Sequence, residues 1–97
     1  MLNYIVLGTF TEKGSSSIKE TTKRADAVKE LGGRFGVDMK SIYWTQGQYD
    51  LVTFCEAKDE ASVAAFGLAV AASGNVRMQT LRAFSKEEMN TILAKMP

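Results

Sequence analysis

Residues 39–56, with the sequence MKSIYWTQGQYDLVTFCE, decide the fold. Both halves of this stretch are rich in apolar residues, without a clean alternation of apolar and polar positions, and are predicted to be β-strands. Gly47 and Gln48 separate the halves, and a glycine at the first position of a two-residue loop suits a type II′ turn. The stretch therefore predicts a β-hairpin with strands over residues 39–46 and 49–56, around which the other elements can be placed.

The loop length sets the register of the hairpin and therefore the face on which each side chain lies. Tyr43 is predicted to pair with Val52, and Trp44 with Leu51. One face is then expected to carry Ser41, Tyr43, Thr45, Asp50, Val52 and Phe54. The other face is expected to carry Ile42, Trp44, Tyr49, Leu51, Thr53 and Cys55.

Strand and helix patterns alternate on either side of the hairpin. Residues 3–10 and 76–84 have the alternation of strands, whereas apolar residues recur at steps of three and four over about 22–36 and 60–73, which indicates two helices. The polar segment 11–22 is predicted to be a loop. The resulting order, βαββαβ with right-handed crossovers, predicts an α+β ferredoxin-like antiparallel sheet of order 4-1-3-2 with both helices on one face.

The C-terminal residues predict one further helix. Ser85 and Glu88 have the spacing of a capping box, and apolar residues recur on one face of the segment that follows. Asp59 is a candidate N-cap for the helix over 60–73. With 97 residues and no linker-like composition, the chain is expected to form a single domain over residues 1–97.

Neither face of the predicted sheet is polar. The third strand carries Val52 and Phe54 on one face and Leu51 and Cys55 on the other, and the first strand is apolar on both faces. Because monomers avoid exposing so large an apolar patch, the open face is expected to pack against a second copy and form a homodimeric α/β barrel. The alternative is a monomer in which the C-terminal helix folds back over the open face. That helix or another dimer is also expected to cover the second helix, which is apolar all round.

The composition excludes several kinds of function. The chain has 12 Lys+Arg, 11 Asp+Glu, no His and one Cys. It therefore lacks imidazole ligands, multi-cysteine metal patterns and an intramolecular disulfide, and no metal or cofactor is predicted. The net charge of +1, with no Lys or Arg on the third strand, argues against nucleic acid as a partner. The N-terminal residues lack a signal-peptide pattern and no apolar run reaches about 20 residues, so no membrane contact and a cytoplasmic location are expected.

Several short motifs together resemble the GYD domain family. They are Phe10-Thr11-Glu12-Lys13-Gly14, Tyr43-Trp44-Thr45, Gly47-Gln48-Tyr49-Asp50 and Gly74-Asn75-Val76-Arg77. Gly47, Tyr49 and Asp50 match the Gly…Tyr-Asp element from which the family takes its name. The resemblance implies the paired sheets of the dimeric α/β-barrel superfamily and no assigned activity. Thr22 stands where many relatives have proline, and the catalytic His usual among the superfamily's enzymes is absent.

The candidate site lies where the hairpin tip, the end of the first strand and the start of the fourth strand meet. Tyr43, Thr45, Tyr49, Asp50 and Arg77 are expected there, with Asp50 and Arg77 roughly 10 Å apart across the first strand. As a ligand pocket, the site would offer two tyrosines as hydrogen-bonding aromatics and a charged anchor. The structural interpretation, which the sequence favours, is that Asp50 accepts hydrogen bonds at the turn or pairs with Arg77 in the assembly.

Three functions remain open from the sequence. The first is a small homo-oligomer that binds a small molecule in or near the cavity between paired sheets. The second is a cofactor-independent oxygenase or isomerase, in which Asp50 would need a pKa raised by burial to act as a base. The third is a purely structural oligomer subunit. Cys55 is expected to be a buried, unreactive thiol, and Trp44 to belong to the core.

Overall fold

The computed structural model describes the whole chain, Met1–Pro97. The strands are β1 Leu2–Phe10, β2 Val37–Trp44, β3 Leu51–Ala57 and β4 Val76–Ala83. The helices are α1 Glu12–Ser16, α2 Thr21–Arg34, α3 Glu60–Ala72 and α4 Lys86–Leu93, with a 3₁₀ turn over Ile18–Glu20. The strands form one antiparallel sheet in the order β2-β3-β1-β4, which is the predicted order read from the other edge. The α+β ferredoxin-like fold is therefore confirmed.

The helices α2 and α3 lie on one side of the sheet, called here the helix-covered face. α2 continues through its paired glycines, and Gly36, with φ +76°, follows its end. Only glycine adopts this left-handed conformation without strain, so Gly36 turns the chain from the helix into β2. The Asp59 carboxylate accepts a hydrogen bond from the backbone N–H of Ser62 at 2.7 Å, which confirms Asp59 as the N-cap of α3.

The core fills the space between the helix-covered face and α3. Its buried members are Tyr4, Val37, Met39, Cys55, Ala57, Val63, Phe66 and Val70. Phe35, at the end of α2, packs on Phe66 with ring centroids 6.1 Å apart, which joins the two helices. Burial, with a smaller contribution from Asp38, raises the pKa of the Cys55 thiol to about 11. The thiol is therefore protonated at neutral pH, as its predicted lack of reactivity requires.

A β-bulge interrupts β2, and the sequence pattern did not indicate it. Met39 pairs with Cys55 while Ser41 pairs with Phe54, so Lys40 is an extra residue on this edge strand. The extra residue shifts the alternation by one position. As a result the strand buries Met39 under the helices and still places the residues beyond Lys40 on the faces that the hairpin register predicts.

The bulged residue is held by two carboxylates. The ammonium of Lys40 lies 3.0 Å from the Asp38 carboxylate and 3.5 Å from that of Glu56 on the neighbouring strand. The hydrogen bond and the charge of Asp38, followed by the charge of Glu56, raise the pKa of Lys40. Since these groups are exposed, the contacts orient the bulge and contribute little to stability.

The segment 11–22, predicted to be a loop, instead forms α1 and the 3₁₀ turn. The hydroxyl of Thr11 caps α1 by accepting from the backbone N–H of Gly14 at 3.2 Å. The Arg24 guanidinium donates to the carbonyl of Ser17 at 2.8 Å and to that of Gly14 at 3.2 Å. The serine-rich composition indicates a loop, but these bonds to α2 hold the short helix in place.

Helix α4 projects from the end of β4. None of its residues is buried, and it makes no extended contact with either face of the sheet. Met89 is 43% exposed, Leu93 49% and Met96 65%, so the predicted apolar stripe is without a partner. The radius of gyration, 14.6 Å, exceeds the roughly 13 Å of a compact chain of this length. The alternative in which this helix covers the open face is therefore wrong, as is its expected cover of α3. No helix has the length and apolarity needed to cross a bilayer.

Candidate functional site

The open face is the side of the sheet that no helix covers. Its apolar residues are Ile5, Leu7, Tyr43, Val52, Phe54 and Leu81. The strand register makes them neighbours, because Val52 lies between Tyr43 and Leu7 while Ile5 pairs with Phe54. Tyr43 is 60% exposed and meets the ring of Phe54 edge-on at 6.4 Å. The patch therefore extends over all four strands.

The hairpin keeps its predicted register but has a wider turn. Tyr43 pairs with Val52 as predicted, whereas β2 ends two residues earlier and β3 begins two residues later than the pattern indicated. The backbone N–H of Thr45 donates to the Asp50 carbonyl at 2.8 Å, which encloses four residues instead of two. The Thr45 hydroxyl also donates to the carbonyl of Tyr49 at 2.6 Å. This side-chain bond competes with the ladder and explains the wider turn.

Asp50 closes the end of β1. Its carboxylate accepts from the backbone N–H of Phe10 at 2.9 Å, and its own backbone N–H donates to the carbonyl of Gly8 at 2.8 Å. The pairing of β1 with β3 stops at Gly8 and Leu51, so Phe10 has no partner residue on β3, and the Asp50 carboxylate accepts its backbone N–H instead. A charged acceptor makes this bond stronger than a neutral one. Asp50 thus has the hydrogen-bonding role that the structural interpretation gave it.

Tyr49 does not lie on the same face as Trp44, and Arg77 forms no ion pair with Asp50, in contrast to the two arrangements considered from the sequence. The Tyr49 hydroxyl and the side-chain oxygen of Gln79 are 3.2 Å apart, and Gln79 is paired with Leu7 of the open face. Tyr49 therefore lies toward the open face and not beside Trp44, because the wide turn frees it from the strand alternation. Arg77 pairs with Thr9 on β1 and belongs to none of the ion pairs of the chain. No ion pair joins it to Asp50 within one copy.

The motifs that resemble the family meet at one end of the sheet. The backbone N–H of Thr11 donates to the Asn75 carbonyl at 3.1 Å, and its hydroxyl donates to the Gly74 carbonyl at 2.5 Å. A β-carbon on Gly14 would lie 2.1 Å from the same Asn75 oxygen, so only glycine fits there. We call residues 10–14, 47–50 and 73–77 the hairpin end. Thr11 and Gly14 therefore hold the segment between β1 and α1 against the backbone of Gly74 and Asn75.

The direction of α4 depends on one carboxylate. Glu88 accepts from the backbone N–H of Ser85 and the side-chain amide of Asn3, each at 3.0 Å, and from the Arg82 guanidinium at 3.4 Å. We call these contacts the Glu88 bridge. The bond from Ser85, followed by those from Asn3 and Arg82, lowers the pKa of Glu88 to about 2. The bridge therefore stays ionised at neutral pH and ties the start of α4 to β1 and β4.

Sequence reasoning missed two concave features. A cavity of about 80 Å³ lies between α2 and the helix-covered face, with Trp44 among its lining residues. An open groove of about 600 Å³ lies between α3 and β4 and is lined in part by Tyr4 and Leu68. The Tyr4 hydroxyl is buried without a hydrogen-bond partner. The lone tryptophan, predicted to be in the core but 42% exposed, was the one sequence signal near the cavity.

Comparison with known proteins identifies the family. The model of the GYD domain matches residues 4–93. A relative from Thermus thermophilus, named "Glutamine synthetase and cystathionine beta-lyase binding protein", is 38% identical over 84 residues, covering 86% of this chain and 88% of the relative.

Two solved structures are similar in fold. The crystal structure of TTHA0845, also from Thermus thermophilus, has a TM-score of 0.56 at 24% identity, over 88% of this chain and 95% of that one. The crystal structure of FFRP-DM1 has a TM-score of 0.57 at 17% identity, over 87% of this chain and 100% of that one. At these identities the likeness concerns the fold alone. The family match, which spans nearly the whole sequence, shows that this chain belongs to the GYD domain family.

Proposed function

We propose that this protein is a homodimeric binding protein that docks onto other proteins, with the open face as its dimer interface. The apolar patch on the open face carries the dimer proposal, because Tyr43, Phe54 and Leu81 are at least 37% exposed there. Four strands about 4.8 Å apart and about eight residues long span roughly 19 by 26 Å. That sheet area is about 500 Å² before the relief of the side chains is counted, and a standard interface buries about 800 Å² per partner. A second copy presents the same patch across a two-fold axis.

The dimer leaves α4 free for a different protein. Its apolar stripe is exposed, and the Glu88 bridge fixes the direction in which the stripe points. An amphipathic helix of this kind binds by laying its apolar side in a hydrophobic groove. The relative at 38% identity is named for binding glutamine synthetase and cystathionine beta-lyase, so we assign α4 to contact with a glutamine synthetase. A cytoplasmic location, where such an enzyme would be met, is part of the proposal.

Sedimentation velocity tests the dimer. Phe54→Glu places a charge in the centre of the open face and is expected to convert a dimer into a monomer at micromolar concentration. Leu68→Glu is the matched control, because Leu68 is 73% exposed on α3, away from the open face. Circular dichroism is the check that both variants are folded. A wild-type monomer, or a Phe54→Glu dimer as stable as the wild type, would contradict the proposal.

Biolayer interferometry with purified glutamine synthetase tests the partner. Leu93→Glu is expected to weaken binding at least about 10-fold, since it charges the apolar stripe of α4. Thr91→Glu introduces the same charge on the other side of the helix and is expected to bind like the wild type. Absence of binding by the wild-type protein would contradict the assignment, and so would equal binding by Leu93→Glu. If the wild-type protein does not bind, a purely structural subunit becomes the better description; equal binding by Leu93→Glu would mean that another surface makes the contact.

Small-molecule binding at the open face is the second candidate function. Tyr43 and Tyr49 lie toward this face, and Arg77 is exposed without an ion pair, which favours an anionic ligand between paired sheets. Thr45 and Asp50 would hold the wall of this site through the hairpin. Native mass spectrometry of the purified dimer is expected to show a reproducible extra mass that Arg77→Ala removes. A dimer without added mass would count against this candidate.

A further inference from the structure

The cavity between α2 and the helix-covered face lies inside one copy, on the opposite side of the sheet from the open face. Its volume is about 80 Å³, and its walls include Val6, Val28, Leu51 and Val76. Ala25 of α2 also lines it, with a side chain too short to fill the space. The cavity is larger than the space that one water molecule needs, which is about 10–15 Å³.

Two of the polar groups beside the cavity bond to the protein. The Trp44 indole N–H donates to the Thr21 hydroxyl at 3.1 Å. The Arg24 guanidinium donates to backbone carbonyls of the segment between β1 and α2. Most of the residues that line the cavity are apolar, and Thr53 and Asn75 add polar groups to its wall. A cavity with a mainly apolar lining has affinity for nonpolar molecules.

The contact between Trp44 and Thr21 marks the mouth of the cavity. Trp44 lines the space and is also 42% exposed, so it lies where the cavity meets solvent. The Thr21 oxygen accepts from the indole, which leaves the hydroxyl proton free to donate to an oxygen atom at the mouth. A ligand can therefore bury an apolar end and keep a polar end beside Thr21.

We propose that this cavity is a binding site for a small branched aliphatic molecule with a hydroxyl or carbonyl oxygen at one end. The volume is about half that of engineered apolar cavities, about 150 Å³, that hold benzene or xenon. It therefore suits an isopropyl or isobutyl group better than an aromatic ring. The oxygen accepts a hydrogen bond from Thr21, and Trp44 covers the alkyl group. This site does not depend on dimerisation or on α4.

Titration with 3-methylbutan-1-ol, followed by ¹H–¹⁵N correlation spectra, tests the site. Saturable shifts are expected at the Trp44 indole N–H and at the amides of Ala25 and Val28, with a Kd on the order of 1 mM for so small a ligand. Ethanol at equal concentration controls for a general solvent effect. Shifts that grow linearly with concentration, or that spread over the whole spectrum, would overturn the proposal.

Variants that fill the cavity complete the test. Ala25→Leu adds three carbons to the wall and is expected to weaken binding of 3-methylbutan-1-ol at least about 10-fold while raising Tm by a few degrees. Ala27→Leu makes the same change at an exposed position of α2 and is expected to leave binding unchanged. Val28→Ile adds one carbon and is expected to weaken binding by a smaller factor. It provides a second filling variant if Ala25→Leu does not fold. Equal binding by the wild type and the folded filling variants would overturn the proposal.

Discussion

The hairpin end and the start of α4 both depend on an acidic side chain that accepts a backbone N–H. Asp50 accepts from Phe10 at 2.9 Å, and Glu88 accepts from Ser85 at 3.0 Å. At the hairpin end, backbone contacts such as that of Thr11 with Asn75 surround the carboxylate. Around α4 the Glu88 bridge acts almost alone, because the helix makes no extended contact with the sheet.

The difference lies in what surrounds each carboxylate. At the hairpin end the acceptor is one of several contacts that fix the backbone, so single changes there are expected to affect the fold. At α4 the acceptor sets the direction of a helix whose apolar side remains exposed, so changes there are expected to affect binding. A carboxylate that accepts a backbone N–H thus helps to fix the backbone at the hairpin end, whereas at α4 it orients an exposed helix.

The largest effect is expected for Gly14→Ala. The new β-carbon would lie 2.1 Å from the Asn75 carbonyl oxygen, and neither backbone can move freely. We expect a loss of about 2–4 kcal/mol of stability, measured by urea unfolding. Gly33→Ala is the matched control, since a β-carbon there meets nothing within 4 Å, and it should stabilise α2 by about 0.5–1 kcal/mol. Equal stability of the two variants would show that the hairpin end is loosely packed.

A smaller loss is expected for Asp50→Ala. The change leaves the backbone N–H of Phe10 without its acceptor and should cost about 1–2 kcal/mol in chemical unfolding. Asp50→Asn keeps an acceptor oxygen and should cost less. If Asp50→Asn instead weakened dimerisation in sedimentation with no loss of stability, the assembly role of Asp50 would replace its role within one copy.

Glu88→Gln should change the orientation of α4 more than the free energy of unfolding. The new side-chain amide retains an oxygen for Ser85 but lacks the charge that attracts Arg82. We expect faster amide exchange across α4, an unchanged exchange rate in β1, and weaker binding of the partner enzyme. Glu87→Gln is the control on the same turn of the helix. If the amides of α4 in Glu88→Gln were as protected from exchange as in the wild type, the capping box alone would orient the helix.

The smallest effect is expected from pH. Folding lowers the pKa of Glu88 from 4.5 to about 2, so the bridge contributes fully above about pH 4.5 and is lost as the pH falls through about 2. Chemical shifts of α4 amides should titrate in this window in the wild type and stay constant in Glu88→Gln. A Glu88 carboxyl that titrates near 4.5 in the folded protein would contradict the bridge.

Much of the fold could be predicted from the periodicity of apolar residues and from helix-capping residues. The register of Tyr43 with Val52, the Asp59 cap and the capping box at Ser85 all follow from local spacing, and all are found. The bulge at Lys40 was not accessible, because it depends on contacts between two strands. α1 could not be predicted for a similar reason, because the hydrogen bond that holds it comes from Arg24, ten residues after Gly14.

The candidate site was harder to predict than the fold. The pattern brought the motif residues to one end of the sheet, but it could not show that the Asp50 carboxylate is occupied by Phe10 or that Tyr49 reaches Gln79. These contacts arise from the wide turn, which side-chain hydrogen bonds create after the register is set. The cavity depends on small volume differences between α2 and the sheet, and periodicity carries no information on volume.

The bulge at Lys40 also bears on how many copies can associate. Edge strands with unpaired backbone groups invite strand addition, which gives open-ended fibres. On β2 the extra residue and the charged pair of Lys40 with Asp38 interrupt the row of groups that an incoming strand would need. Growth along that edge is thereby discouraged, whereas the proposed contact through the open face would need only two copies. An irregularity of one residue thus favours a finite assembly over an endless one.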